Sequence, residues 1–225
     1  ETYSDQSVLL ALPKVFDPGK SAAMVVFLHG NNATLQRDVV DRQRVVAQFE
    51  RAGLNGVLVA PQLAVDALDS SAGNFWTPGV FAKFVAEAAQ RLATLSGLSA
   101  DLFDAMPIVI AAYSGGYNPA AYALHVGGAD KRIAGIILLD AVYDEEEKFA
   151  SFLKHYRKAF FFSAYSKSAA SGNANIRRFL DAGHVAYSTK TPKSLKPGSV
   201  TFFAADPDTV HDDFVTSAWV PNPLA

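Results

Sequence analysis

The chain contains no cysteine in its 225 residues. Disulfide bonds, thiol catalysis and cysteine-ligated zinc are therefore excluded, while the compartment is left unfixed. Long apolar runs are missing too: no stretch reaches the roughly 18 residues that a membrane-spanning helix requires. Neither sign of charge dominates, with 20 Lys plus Arg against 22 Asp plus Glu and a formal net charge of −2. No basic run would track a phosphate backbone, so nucleic acid is not an expected partner. The first buried strand ends in LHGNNATLQ, which has neither G-x-G-x-x-G nor G-K-[ST], and a nucleotide-binding reading falls with them. Repeats and low-complexity tracts are lacking. The chain opens on Glu1 rather than methionine, which fits a removed leader or a trimmed start and leaves both a cytoplasmic and a periplasmic or secreted setting open.

Half of the residues are hydrophobic, enough for one sizeable core, and the length fits one domain over residues 1–225. Apolar, β-rich runs alternate with helix-like stretches, the pattern of a mostly parallel sheet covered by helices. Strands are expected over 7–16 (at an edge, because of Pro13), 22–30, 56–63, 107–114, 132–143, 158–166 and 199–206. Helices are expected over 36–52, with Gly53 at its stop, and over 79–95, 119–126, 144–156 and 172–182. Residues 64–78 and 190–198 read as loops, and 184–190 is ambiguous.

In such sheets functional groups gather at the carboxyl ends of the strands. His29 to Asn32, Gln62, Ser114, Asp140, the 164–168 loop and His211 fall there. Ser114 sits in Ala112-Tyr113-Ser114-Gly115-Gly116, between a strand and a helix. A tight strand-to-helix turn exposes a serine Oγ and aims backbone N–H groups at the same point, and small neighbours relieve its crowding. A serine hydroxyl also needs a base. His211, after the last strand, is the candidate, ahead of His125, His155 and His184, which read as structural or solvated. His29-Gly30-Asn31-Asn32 offers N–H groups for an oxyanion hole, so Gly115 and Asn31 are the expected donors. The acid that orients the base is read as Asp140, the first carboxylate to end a strand after Ser114. Asp144 stays open as the alternative, although its place fits the cap of the helix at Glu145. Asp206, Asp208, Asp212 and Asp213 lie too near His211 in sequence to be convenient partners.

These residues resemble those of an α/β-hydrolase-fold serine hydrolase of the esterase and lipase kind. Ser114, Asp140 and His211 follow the nucleophile, acid, base order of that fold, FLHGNN resembles its oxyanion strand, and AAYSGG resembles its nucleophile elbow. The likeness spans roughly residues 7–220. It implies a three-layer α/β/α fold with a mostly parallel central sheet; the chain is small for that fold, and no large insertion is seen that would build a cap domain. The implied chemistry is cleavage of a carboxylic ester through an acyl-enzyme, with a small-molecule ester substrate and no metal or organic cofactor. An amide or peptide substrate, or a non-catalytic binding protein on the same fold, are the alternatives. Two departures stand out: alanine replaces the first elbow glycine, and the acid, which in the family more often follows the next strand, has no counterpart there, because that strand ends in SAYSKS. Asn32, Trp76, Tyr113 and Tyr117 are the expected substrate-binding residues.

Overall fold

The computed structural model describes residues 4–65 and 71–217. Its seven strands are β1 (Val8–Ala11), β2 (Ala23–Leu28), β3 (Gly56–Pro61), β4 (Ile108–Tyr113), β5 (Ile133–Leu139), β6 (Phe160–Tyr165) and β7 (Val200–Ala204). They form one sheet in the order β1-β3-β2-β4-β5-β6-β7, in which only β1 runs antiparallel. The helices are α1 (Val45–Ala52), α2 (Val80–Ser96), α3 (Ala100–Asp104), α4 (Tyr117–His125), α5 (Glu146–His155), α6 (Ala170–Ala182) and α7 (Asp213–Thr216), with a π-helical segment at Leu35–Arg42.

Side-chain alternation along the strands builds two cores. Met24, Val26 and Leu28 of β2 face the same side as Ile108, Ile110 and Ala112 of β4, and pack with α2, α4, α5 and α6 through Phe81, Val85, Leu124, Phe149 and Ile176. The intervening Phe27, Ala111, Tyr113 and Leu139 face the other side, against Val39, Val45, Phe49, Phe214 and Val215. Period-two alternation with both faces covered is the condition for a buried parallel sheet. Each of the fully buried phenylalanines, such as Phe27, Phe81 and Phe214, contributes about 1.5–3 kcal/mol over leaving it exposed. This is the three-layer arrangement.

Two expectations need correction, and one helix was not expected. The early strand is shorter than residues 7–16: it stops at Ala11, and the chain turns at Pro13, whose carbonyl accepts the Phe16 N–H. The expected helix over 36–52 is two segments, broken where Arg44 adopts a left-handed backbone with φ 54°. Residues 100–104 form the short helix α3, capped by Ser99, whose side chain accepts the Asp101 N–H. Five residues of the 64–78 loop, 66–70, and the stretch 218–220 lie outside the described residues. The ambiguous 184–190 segment touches the sheet through a single bridge, Ser188 to Thr201.

Candidate active site

The strand order places the carboxyl ends of β2, β4, β5 and β6 side by side. Ser114 follows β4 at once and holds φ at +52°. Left-handed backbone is uncommon for a residue with a Cβ and is found where a fold imposes it. Here the strain falls on the serine itself, and neither Gly115 nor Gly116 has a positive φ. The glycines answer a different need. A Cβ on Gly116 would lie 2.2 Å from the Leu28 carbonyl oxygen, so this glycine lets the start of α4 press against the end of β2. Across the same seam, a Cβ on Gly30 would lie 2.9 Å from the Ser114 Cβ and 3.4 Å from its Oγ. The His29–Asn32 loop is therefore in direct contact with the serine.

That loop is held by a buried histidine. The Leu63 N–H donates to His29 Nε2 at 2.9 Å, which puts the ring proton on Nδ1, and Nδ1 donates to the Gly30 carbonyl at 2.8 Å. Burial lowers the His29 pKa and keeps the ring neutral, as this bonding requires. Gln62 completes the fastening: its amide reaches His29 Nε2 at 3.0 Å and donates to the Ala33 carbonyl, while its Oε1 accepts from the Leu35 N–H. A trans peptide directs its C=O and N–H to opposite sides. With the Gly30 carbonyl drawn toward His29, the Asn31 N–H points the other way. Gly30, Asn31 and Gly115 all border one small pocket of about 10 Å3, together with Leu63, Ala64, Ser71 and Pro119. That is room for about one oxygen-sized atom. Asn32, beside it, is left-handed at φ 55°.

On the far side of Ser114, β5 is followed at once by Asp140, fully buried and with φ 46°. His211 Nδ1 donates to its Oδ2 at 2.7 Å. Asp144 instead accepts the Glu145 N–H at 2.8 Å, and α5 begins only at Glu146, so its N-cap is Glu145 rather than Asp144. Burial raises the Asp140 pKa, but the bonds from His211 and Ser166 outweigh it, and the net shift is downward. His211 reaches Asp140 from beyond β7 by a loop fastened at several points. The Ala205 N–H bonds the Tyr165 carbonyl, the Val210 N–H bonds Asp213, and Arg42 pairs with Asp212. Buried Phe214 and Val215 anchor α7 just beyond it.

Aromatic rings enclose the histidine. Tyr113 stacks on it with centroids 4.9 Å apart, and Tyr143 meets it edge-on at 6.2 Å. Since Tyr113 is buried and adjoins Ser114, it supports the base from beneath. Tyr117 lies 6.0 Å from Tyr143, and Trp76, which is exposed, packs against Tyr122. The neighbouring Phe75 is buried against Phe81 and Phe84, a core anchor. Sequence reasoning passed over Tyr143, Ser166 and Ser168, all within hydrogen-bonding reach of Asp140. Only the 164–168 strand end hinted at them. Among the described residues no group of three His, Asp or Glu side chains is placed to hold a metal, and no helix is long and apolar enough to cross a membrane.

The fold recurs in solved structures. A serine-to-alanine variant of the feruloyl esterase module from Clostridium thermocellum, complexed with sinapinate, superposes with a TM-score of 0.65 at 14% identity, covering 100% of this chain and 84% of that one. The fold is that of the α/β hydrolases. A ferulic acid esterase matches at TM-score 0.57 and 13% identity over 94% of this chain and 93% of its own. The S-formylglutathione hydrolase from Agrobacterium tumefaciens matches this hydrolase fold at 0.54 and 13% over 96% and 87%. No family model matches the chain, and no curated protein matches it in sequence.

Proposed function

We propose that this protein is a serine hydrolase that cleaves a carboxylic ester of a small molecule by way of an acyl-enzyme. The observation that carries the reading is the His211–Asp140 bond of 2.7 Å, with the ring of His211 stacked on the residue preceding Ser114. In this reading Ser114 attacks the carbonyl, and His211 accepts its proton and later returns it to the leaving group. Asp140 fixes the tautomer and stabilises the imidazolium. His211 bonds Asp140 and Tyr143 through Nδ1, which leaves Nε2 for the Ser114 proton. The N–H groups of Gly115 and Asn31 receive the oxyanion in the small pocket they share. The hydrolase fold supports the same chemistry, and esterases are among the enzymes that share it. Tyr117, Tyr143 and Trp76 are the side chains proposed to meet the substrate's non-reacting part.

The test is hydrolysis of p-nitrophenyl esters of increasing chain length beside a panel of aminoacyl anilides. Wild type should turn over p-nitrophenyl acetate, and Ser114→Ala should abolish that turnover with the fold intact. Retained activity in Ser114→Ala would remove Ser114 from the mechanism, and faster cleavage of the anilides would move the substrate class from ester to amide.

A further inference from the structure

The strand end that lacks a carboxylate is not idle. In the parallel register Leu139 pairs with Ala164, and the Asp140 N–H donates to the Ala164 carbonyl at 2.8 Å. The end of β5 therefore delivers Asp140 beside Ser166. Ser166 answers it twice: its N–H donates to Asp140 Oδ1 at 2.7 Å and its Oγ donates to Oδ2 at 3.0 Å. Ser168 Oγ donates to Oδ2 at 3.1 Å and lies 2.9 Å from Ser166 Oγ. Tyr143 O–H stands further off, 3.4 Å from Oδ2 and 3.2 Å from Ser168 Oγ.

We propose that the Ser166-Lys167-Ser168 turn after β6 is a hydroxyl cradle for the acid of its neighbouring strand, with Ser166 a positioning residue that acts on His211 through Asp140. The proposal rests on the triad reading above. A fully buried carboxylate must find donors for both oxygens or it costs far more than its bond to one histidine returns. Oδ1 is served by the Ser166 backbone. Oδ2 is shared between His211 and the two serine hydroxyls, and each hydroxyl has a single proton to give. The hydroxyls draw charge toward the turn and fix the carboxylate's rotation, which sets the direction from which His211 is held. Ser166 is half-buried and Ser168 exposed, so water substitutes for the second more readily than for the first. Ser166 Oγ also accepts the Ser168 N–H, starting the turn that leads into α6. It thus has a structural task besides the one proposed, and the test must separate them.

Ser166→Ala, Ser166→Thr and Ser168→Ala are compared with wild type and Ser114→Ala on p-nitrophenyl acetate across pH, with thermal melting of each. Among the described residues the titratable groups against Asp140 and His211 are Tyr113 and Tyr143, with the Arg42–Asp212 pair acting on Tyr113, and none of these is altered. Ser166→Ala should lower kcat about tenfold, with KM nearly unchanged, because a carboxylate whose rotation is no longer fixed aims His211 less well at Ser114. Its acid limb should move to higher pH, because a carboxylate with fewer donors holds the imidazolium more strongly. Ser166→Thr should restore both rate and limb, and Ser168→Ala should show the same change more weakly. In an Asp140→Asn background Ser166→Ala should cost little more, since its route of action is gone. A Ser166→Ala variant that melts lower but keeps the wild-type kcat and pH profile would overturn the cradle, leaving Ser166 a helix cap. Loss of the same factor on top of Asp140→Asn would overturn it equally. If Ser114→Ala is itself active, the triad reading fails, which is distinct from a failure of the cradle.

Discussion

Single residues at this site carry distinct strains, and the reasons differ from those that composition suggests. Left-handed backbone falls on Ser114, Asp140 and Asn32, and the glycines around the serine serve close approach. Asp140 and Asp144 are the pair on which residue-scale chemistry turns. Asp140→Asn should lower kcat by about 10⁴-fold, as in the worked Ser-His-Asp case, while Asp144→Asn should leave kcat near wild type; steady-state kinetics of the two variants decide between them. The opposite pattern would transfer the acid to Asp144. Ser114, Asp140 and His211 were legible because each terminates or follows an apolar run at a strand end. Ser166, Ser168 and Tyr143 were not, because serine and tyrosine hydroxyls carry no periodic signal and gain meaning only when parallel register sets them beside a buried carboxylate.

At the level of elements, the site depends on β2, β4 and α4 meeting without a side chain between them. Gly116 has helical φ, −61°, so alanine would fit its backbone but not its surroundings, 2.2 Å from the Leu28 carbonyl oxygen. Gly116→Ala should destabilise the protein by more than about 2 kcal/mol and displace the Ser114 turn, read by thermal melting and by loss of esterase rate. Unchanged melting would mean that α4 does not press on β2 as described. The strands were largely readable, since buried β-branched runs ending in His, Ser or Asp leave few alternatives. The break at Arg44 was not: Val39, Val40, Val46 and Phe49 keep a helical apolar spacing across it, and a left-handed arginine has no sequence signature. Tolerance of Arg44→Gly is expected, with a gain of up to about 1 kcal/mol from relief of the left-handed cost, measured by denaturant unfolding.

For the whole molecule, the buried ionisable groups predict how stability follows pH. His29 is held neutral by burial, its pKa below that of an unfolded histidine near 6.5. Its contribution is full above about pH 6.5 and is lost as the pH falls toward the lowered native value. Asp140, also lowered on balance, contributes fully above the unfolded carboxylate range near 3.9 and loses that contribution below it. The melting temperature should therefore decline in two stages on acidification, the first beginning near pH 6.5. His29→Gln should remove the first stage and spare the second; an identical two-stage decline in that variant would detach it from His29.

The central claim is that Ser114 is the nucleophile of a serine hydrolase, and covalent labelling addresses it most directly. Incubation with a fluorophosphonate, followed by mass spectrometry of the digested protein, should place one phosphonyl adduct on Ser114. The adduct should be missing from Ser114→Ala and should form much more slowly in His211→Ala. A folded wild-type protein that takes no adduct, or takes it on another serine, would contradict the account.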